Sequence, residues 1–102
     1  MGRSWRVRPK HLGEKLLRIR MSLGLPQEEM AERLGGDPLS HASVSGYELG
    51  KREPPLYVLL EYARLANVYL EVLADDRLDL PLEIPSARKH EGIKRERKAK
   101  SH

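Results

Sequence analysis

Little in this sequence is of a type and spacing suited to covalent chemistry. The four histidines, His11, His41, His90 and His102, are scattered, and there is no cysteine. The lack of cysteine excludes thiol nucleophiles, zinc–thiolate sites and disulfides together. Paired carboxylates, metal-ligand clusters, glycine-rich phosphate loops and nucleophile triads do not stand out either. The expectation is therefore a protein that is not an enzyme and needs no cofactor and no metal. What the sequence does offer is short-range hydrogen bonding. Val44 and Tyr47 lie three apart and would point into a core, which leaves His41, Ala42, Ser45 and Gly46 on the outer face of one helix. A face of small and polar side chains can enter a major groove about 12 Å wide.

That helix needs neighbours to hold it. Leu12, Leu16, Ile19 and Leu23 recur at spacings of four, three and four, which predicts a first helix ending at Gly24. Pro26 suits the first position of a short second helix, with Met30, Ala31 and Leu34 as its apolar face. Gly35-Gly36-Asp37-Pro38 is a breaker cluster and predicts a turn. Ser40 can cap a third helix from about His41 to Leu49, stopped by Gly50. A fourth, about Leu56 to Ala66, would bury Leu56, Leu59, Leu60, Ala63 and Ala66 and end at Asn67; Leu70 to Ala74 gives a short fifth. Beyond it Leu78, Leu80, Leu82 and Ile84 alternate at a strand period, although Pro81 and Pro85 restrict the segment to an edge or an extended arm, which could pair with its twin across a dimer axis or fold back on the first or fifth helix.

The formal net charge of +4 hides a division. Residues 1–11 carry four Lys/Arg and no acid, residues 12–85 carry 8 against 13 Asp/Glu, and residues 86–102 carry 7 against 2. An acidic body thus lies between two basic ends. Basic ends are the electrostatic footprint of nucleic-acid binding, because phosphate contacts supply most non-specific affinity; a solvated charge run reads the same way. No apolar run approaches the roughly 18 residues of a membrane helix, and the basic N-terminal stretch lacks the apolar segment of a signal peptide. The expected location is cytoplasmic, associated with the nucleoid, with no membrane partner.

Taken together, the pattern resembles the Cro/repressor-type, or XRE-type, helix-turn-helix family. Leu12-Gly13 with Leu16, Ile19 and Arg20 carry the likeness, followed by Gln27-Glu28-Glu29-Met30-Ala31, Leu34-Gly35 and Leu39-Ser40. It continues through Val44-Ser45-Gly46-Tyr47-Glu48-Leu49-Gly50-Lys51-Arg52 and closes with Pro54, Leu56, Leu59, Leu60, Ala63 and Leu73. The resemblance implies an all-α, compact, five-helix lambda-repressor-like domain whose third helix reads DNA, usually as a dimer on a palindromic operator. The expected organisation is a basic arm over 1–9, the helix-turn-helix domain over 10–76, an extended, possible dimerisation segment over 77–85 and a basic tail over 86–102.

The same resemblance gives the residues roles. Gln27 looks like a phosphate or base-edge contact, or else a polar helix start. Ser40, His41, Ala42, Ser43 and Gly46 match groove-facing positions; His41 and Ser45 can hydrogen-bond bases or phosphates, and Ala42 can touch a thymine methyl. Lys51 and Arg52 look like phosphate contacts after the third helix. Arg20 and Glu48 look like a structural ion pair between the first and third helices. Arg3, Arg6, Arg8 and Lys10 are candidate arm contacts; Trp5 among them could follow DNA or pack on the body. Relative to the family, Gly36-Asp37-Pro38 resembles an insertion of about three residues, and the outer face lacks Arg, Gln and Asn, the strong base readers. A sequence-specific transcriptional regulator is the expected function. The alternatives are an antitoxin whose C-terminal segment binds a partner toxin, and a protein-interaction module of the same fold.

Overall fold

The structure, a computed structural model, describes residues 9–85. Five helices follow one another: α1 Leu12–Leu23, α2 Gln27–Arg33, α3 His41–Glu48, α4 Leu56–Ala66 and α5 Leu70–Ala74. There is no strand among the described residues. The breaks fall where the backbone demands them. Gly24 and Asn67 close α1 and α4 in the left-handed conformation, and Pro26 and Pro55 sit at the N-caps of α2 and α4. Arg3, Arg6, Arg8, Trp5 and the tail over 86–102 lie outside the described residues.

α3 packs against both α1 and α2, while α1 also meets α4 and α5. Leu12, Leu16 and Ile19 of α1, Met30 and Ala31 of α2, and Val44 and Tyr47 of α3 are buried together, as their spacings predict. Leu34 joins them, and Leu39 packs on their edge from the turn. Within that turn the amide of Gly36 donates to the Ala31 carbonyl and that of Leu39 to the Gly36 carbonyl, and the Asp37–Pro38 peptide is cis. α2 and α3 stay packed across this turn.

α4 buries Ala63 and Ala66 as expected, but the rest of its face differs from the predicted one. Val58, Tyr62, Ala63, Leu65 and Ala66 are buried, whereas Leu56 and Leu60 are exposed and Leu59 is half-buried. The cause is the near-continuous apolar run Leu56-Tyr57-Val58-Leu59-Leu60, which supports more than one helical face.

The segment after α5 is not a strand either. Of its alternating residues Leu80 is buried, Leu78 and Leu82 are exposed, and Ile84 packs on the edge of the core. Its carbonyls face α1 instead of another strand. Lys15, only 5% exposed, donates from its ammonium to the carbonyls of Val72 (2.8 Å), Asp75 (3.1 Å) and Leu78 (2.8 Å). Arg18 donates to the carbonyls of Pro81 and Leu82. In return Asp76 accepts from the amides of Lys10 (2.8 Å) and His11 (3.1 Å), closing the start of α1, where His11 makes no side-chain cap. Those amide hydrogen bonds hold the Asp76 carboxyl below its ordinary value.

Candidate nucleic-acid interface

The interface is built around α3 and begins at its cap. The Ser40 hydroxyl accepts from the Ala42 amide at 3.2 Å, and the Ser43 hydroxyl accepts from the Ser40 amide at 3.1 Å. This reciprocal box satisfies two amides that the helix itself leaves without partners. It also commits Ser43, which is buried, to the cap and not to the outer face. Ser40, by contrast, remains exposed.

The far end of α3 is fixed by Glu48. Its carboxylate accepts from Arg20 Nε at 2.6 Å and Nη2 at 3.1 Å, and from the Gln27 side-chain amide at 3.0 Å. Arg20 donates a further bond to the Leu25 carbonyl. The Glu48 side chain is 5% exposed and that of Arg20 15%, so the pair is largely shielded from water. The hydrogen bond from Arg20 to Glu48 raises the Arg20 pKa, against an opposing effect of burial. Gln27 is therefore tied to the C-terminal end of α3 through its nitrogen, leaving its carbonyl oxygen as the acceptor that can face a ligand. The Tyr62 hydroxyl is buried nearby without a hydrogen-bond partner among the described residues, and burial pushes its pKa up.

α1 crosses this end of α3 at Gly13. A Cβ there would sit 2.5 Å from the Glu48 carbonyl oxygen and 3.1 Å from that of Tyr47. Only a residue without a side chain lets the two backbones come so close.

With α3 held on that side, His41, Ala42 and Leu49 are exposed and Ser45 is half-buried. Residues four apart stack on one helical face, so His41, Ser45 and Leu49 form one row, and Ala42 and Gly46 the row beside it. Leu49, 66% exposed, was not among the expected site residues, although its spacing from Ser45 was the available signal. Gly46 departs from expectation in the other direction. It is buried, because the aliphatic part of Arg52 lies over it. Lys51 and Arg52 are exposed in the loop beyond, their amides both donating to the Gly46 carbonyl. Pro9 and Lys10 border the same shallow depression as Arg52. Lys10 therefore lies beside the loop that follows α3.

No group of His, Asp or Glu among the described residues could hold a metal ion, and no described helix is long and apolar enough to cross a membrane. Residues 16–73 match the helix-turn-helix family. No curated protein matches the chain.

Proposed function

The chain belongs to the XRE-type helix-turn-helix family of DNA-binding regulators, and from that we propose that it binds operator DNA sequence-specifically, as a dimer, with α3 in the major groove. The observation that carries this reading is the asymmetry of α3. One side is locked by Glu48, Arg20 and Gln27, while the row of His41, Ser45 and Leu49 is left open to solvent. His41 and Ser45 would hydrogen-bond base edges, and Ala42 and Leu49 would meet thymine methyl groups. The Ser40 hydroxyl and Lys51 would meet phosphates beside the groove, and the Gln27 oxygen would accept from a base amino group. The body is acidic, so non-specific attraction is assigned to Lys10 and to Arg3, Arg6 and Arg8 before it, and to the basic tail.

A second copy is the proposed occupant of the exposed apolar surface at the start of α4, where Leu56, Tyr57 and Leu60 lie on adjoining positions. Two-fold DNA sites require a self-complementary patch close to the reading helix. Glu61 and Arg64 of the same helix pair with each other at 3.5 Å at the edge of this surface.

Sequencing of DNA selected by the purified full chain tests this directly. The expected result is a palindrome with half-sites about 34 Å, or one helical turn, apart, and binding that falls with salt. Absence of any enriched sequence together with salt-independent behaviour would overturn the reading.

A further inference from the structure

The third helix has no strong base reader of its own, and the structure shows what occupies the place where one would stand. Ala42 and Gly46 form a row with almost no side chain. Across it runs Arg52. A Cβ placed on Gly46 would lie 2.6 Å from Arg52 Cδ, 3.0 Å from Cγ and 3.4 Å from Cβ, so the stem of Arg52 fills the space a side chain at 46 would take. The backbone of Arg52 is fixed as well, its amide donating to the Gly46 carbonyl at 3.1 Å. The residue remains exposed, and its guanidinium enters no ion pair among the described residues. Its charge also reaches the neighbouring Tyr47 hydroxyl, where it works against the upward push of burial on that pKa.

We infer that Arg52 is a specificity-determining residue, laid along α3 by the notch at Gly46 so that its guanidinium reads a base edge, and that Gly46 is the residue that positions it. The inference rests on the proposed entry of α3 into the major groove. A guanidinium is a planar fork that matches the O6 and N7 of guanine in two parallel hydrogen bonds. A long side chain normally loses much rotamer freedom on binding. Packing the stem on the helix removes part of that loss before DNA arrives. A phosphate contact needs no such seat, since a point charge on a flexible stem serves equally well. The glycine thus supports recognition from beneath the side chain that performs it, without touching DNA itself.

The test compares DNA selection profiles, affinities at several salt concentrations and melting temperatures for the full chain and four variants. For Arg52→Ala the expected result is loss of preference for guanine at one position of each half-site, by about 5- to 150-fold. Arg52→Lys should weaken the same preference, since an ammonium lacks the planar fork, while keeping the dependence on salt. Gly46→Ala should melt no lower than the parent, because alanine favours the helix and the displaced atoms belong to a flexible side chain, yet it should relax the same base position. Adding Gly46→Ala to Arg52→Ala should change the preference no further. The inference is overturned if Arg52→Ala weakens all sequences equally and lowers the salt slope by about one, the mark of a phosphate contact. It is also overturned if Gly46→Ala leaves the preference untouched. A parent chain that enriches a palindrome unaffected by these changes removes the inference alone, whereas a parent that enriches nothing removes the operator reading with it.

Discussion

Gly13 lies against α3 and Gly46 belongs to it, and the two do opposite things there. At Gly13 the missing side chain lets backbone meet backbone, with the Glu48 carbonyl oxygen 2.5 Å from where a Cβ would be. Neither helix can move aside without disturbing the core residues Leu12, Leu16 and Tyr47. At Gly46 the missing side chain admits the movable stem of Arg52. The inner side of α3 is thus a rigid seat, completed by Arg20, Glu48 and Gln27. The outer side is a surface whose members can change without altering the seat. In a protein that reads DNA this separation is useful, because a reading face must be held in register by groups that do not themselves meet the ligand.

The sharpest way to break the comparison is to attack the seat. Glu48→Ala removes the acceptor for two Arg20 donors and for the Gln27 amide at once. Leaving a largely buried charge unpaired costs about 3–5 kcal/mol, a large share of the roughly 5–15 kcal/mol that holds a typical domain together. The urea midpoint should fall accordingly, and DNA binding should weaken because α3 loses its seat. Gly13→Ala comes next. Forcing a methyl against two carbonyl oxygens should cost about 1–3 kcal/mol, against a neutral or stabilising Gly46→Ala in the same assay. Equal losses at the two glycines would show that both sides of α3 are rigid and would remove the distinction.

A smaller effect is expected where α1 begins. The amides of Lys10 and His11 favour the ionised form of Asp76 and hold its pKa below the ordinary 3.8. The stability it contributes is present above about pH 4 and is lost as pH falls through the lowered folded value. Asp76→Asn should therefore flatten the decline in melting temperature between about pH 5 and pH 3. An unchanged acid profile would mean that Asp76 does not tie residues 75–85 to α1 in solution.

Most of the helical frame was legible because it follows from local chemistry. Gly24, Pro26, Ser40, Gly50 and Asn67 mark ends through backbone geometry, and Leu12-Leu16-Ile19 marks a face through period. The Arg20–Glu48 pair was legible only through resemblance, since the two residues are 28 apart in sequence. Three features escaped, each because it depends on what lies opposite. The apolar run in α4 admits several faces, and packing chose the one with Val58 and Tyr62. A lysine in a helical pattern ordinarily signals solvent, but Lys15 is buried because the carbonyls of Val72, Asp75 and Leu78 converge on it. Gly46 read as part of an open face, because nothing local says that a residue six positions later will fold back over it.

The smallest effect on stability is expected from the open row itself. Neither His41 nor Ser45 makes a side-chain hydrogen bond to another described residue, although His41 begins α3 and Ser45 is half-buried. The double variant His41→Ala, Ser45→Ala removes no core contact and introduces a strong helix former at both places. Its stability should stay within about 0.5 kcal/mol of the parent, the range of surface substitutions away from special features. Sequence preference should relax at the base pairs this row meets, while the salt dependence set by phosphate contacts is retained. A lower melting temperature with preference intact would reverse the assignment of the two sides: the outer row would then be holding α3, and recognition would have to come from Gln27, Arg52 or the basic ends.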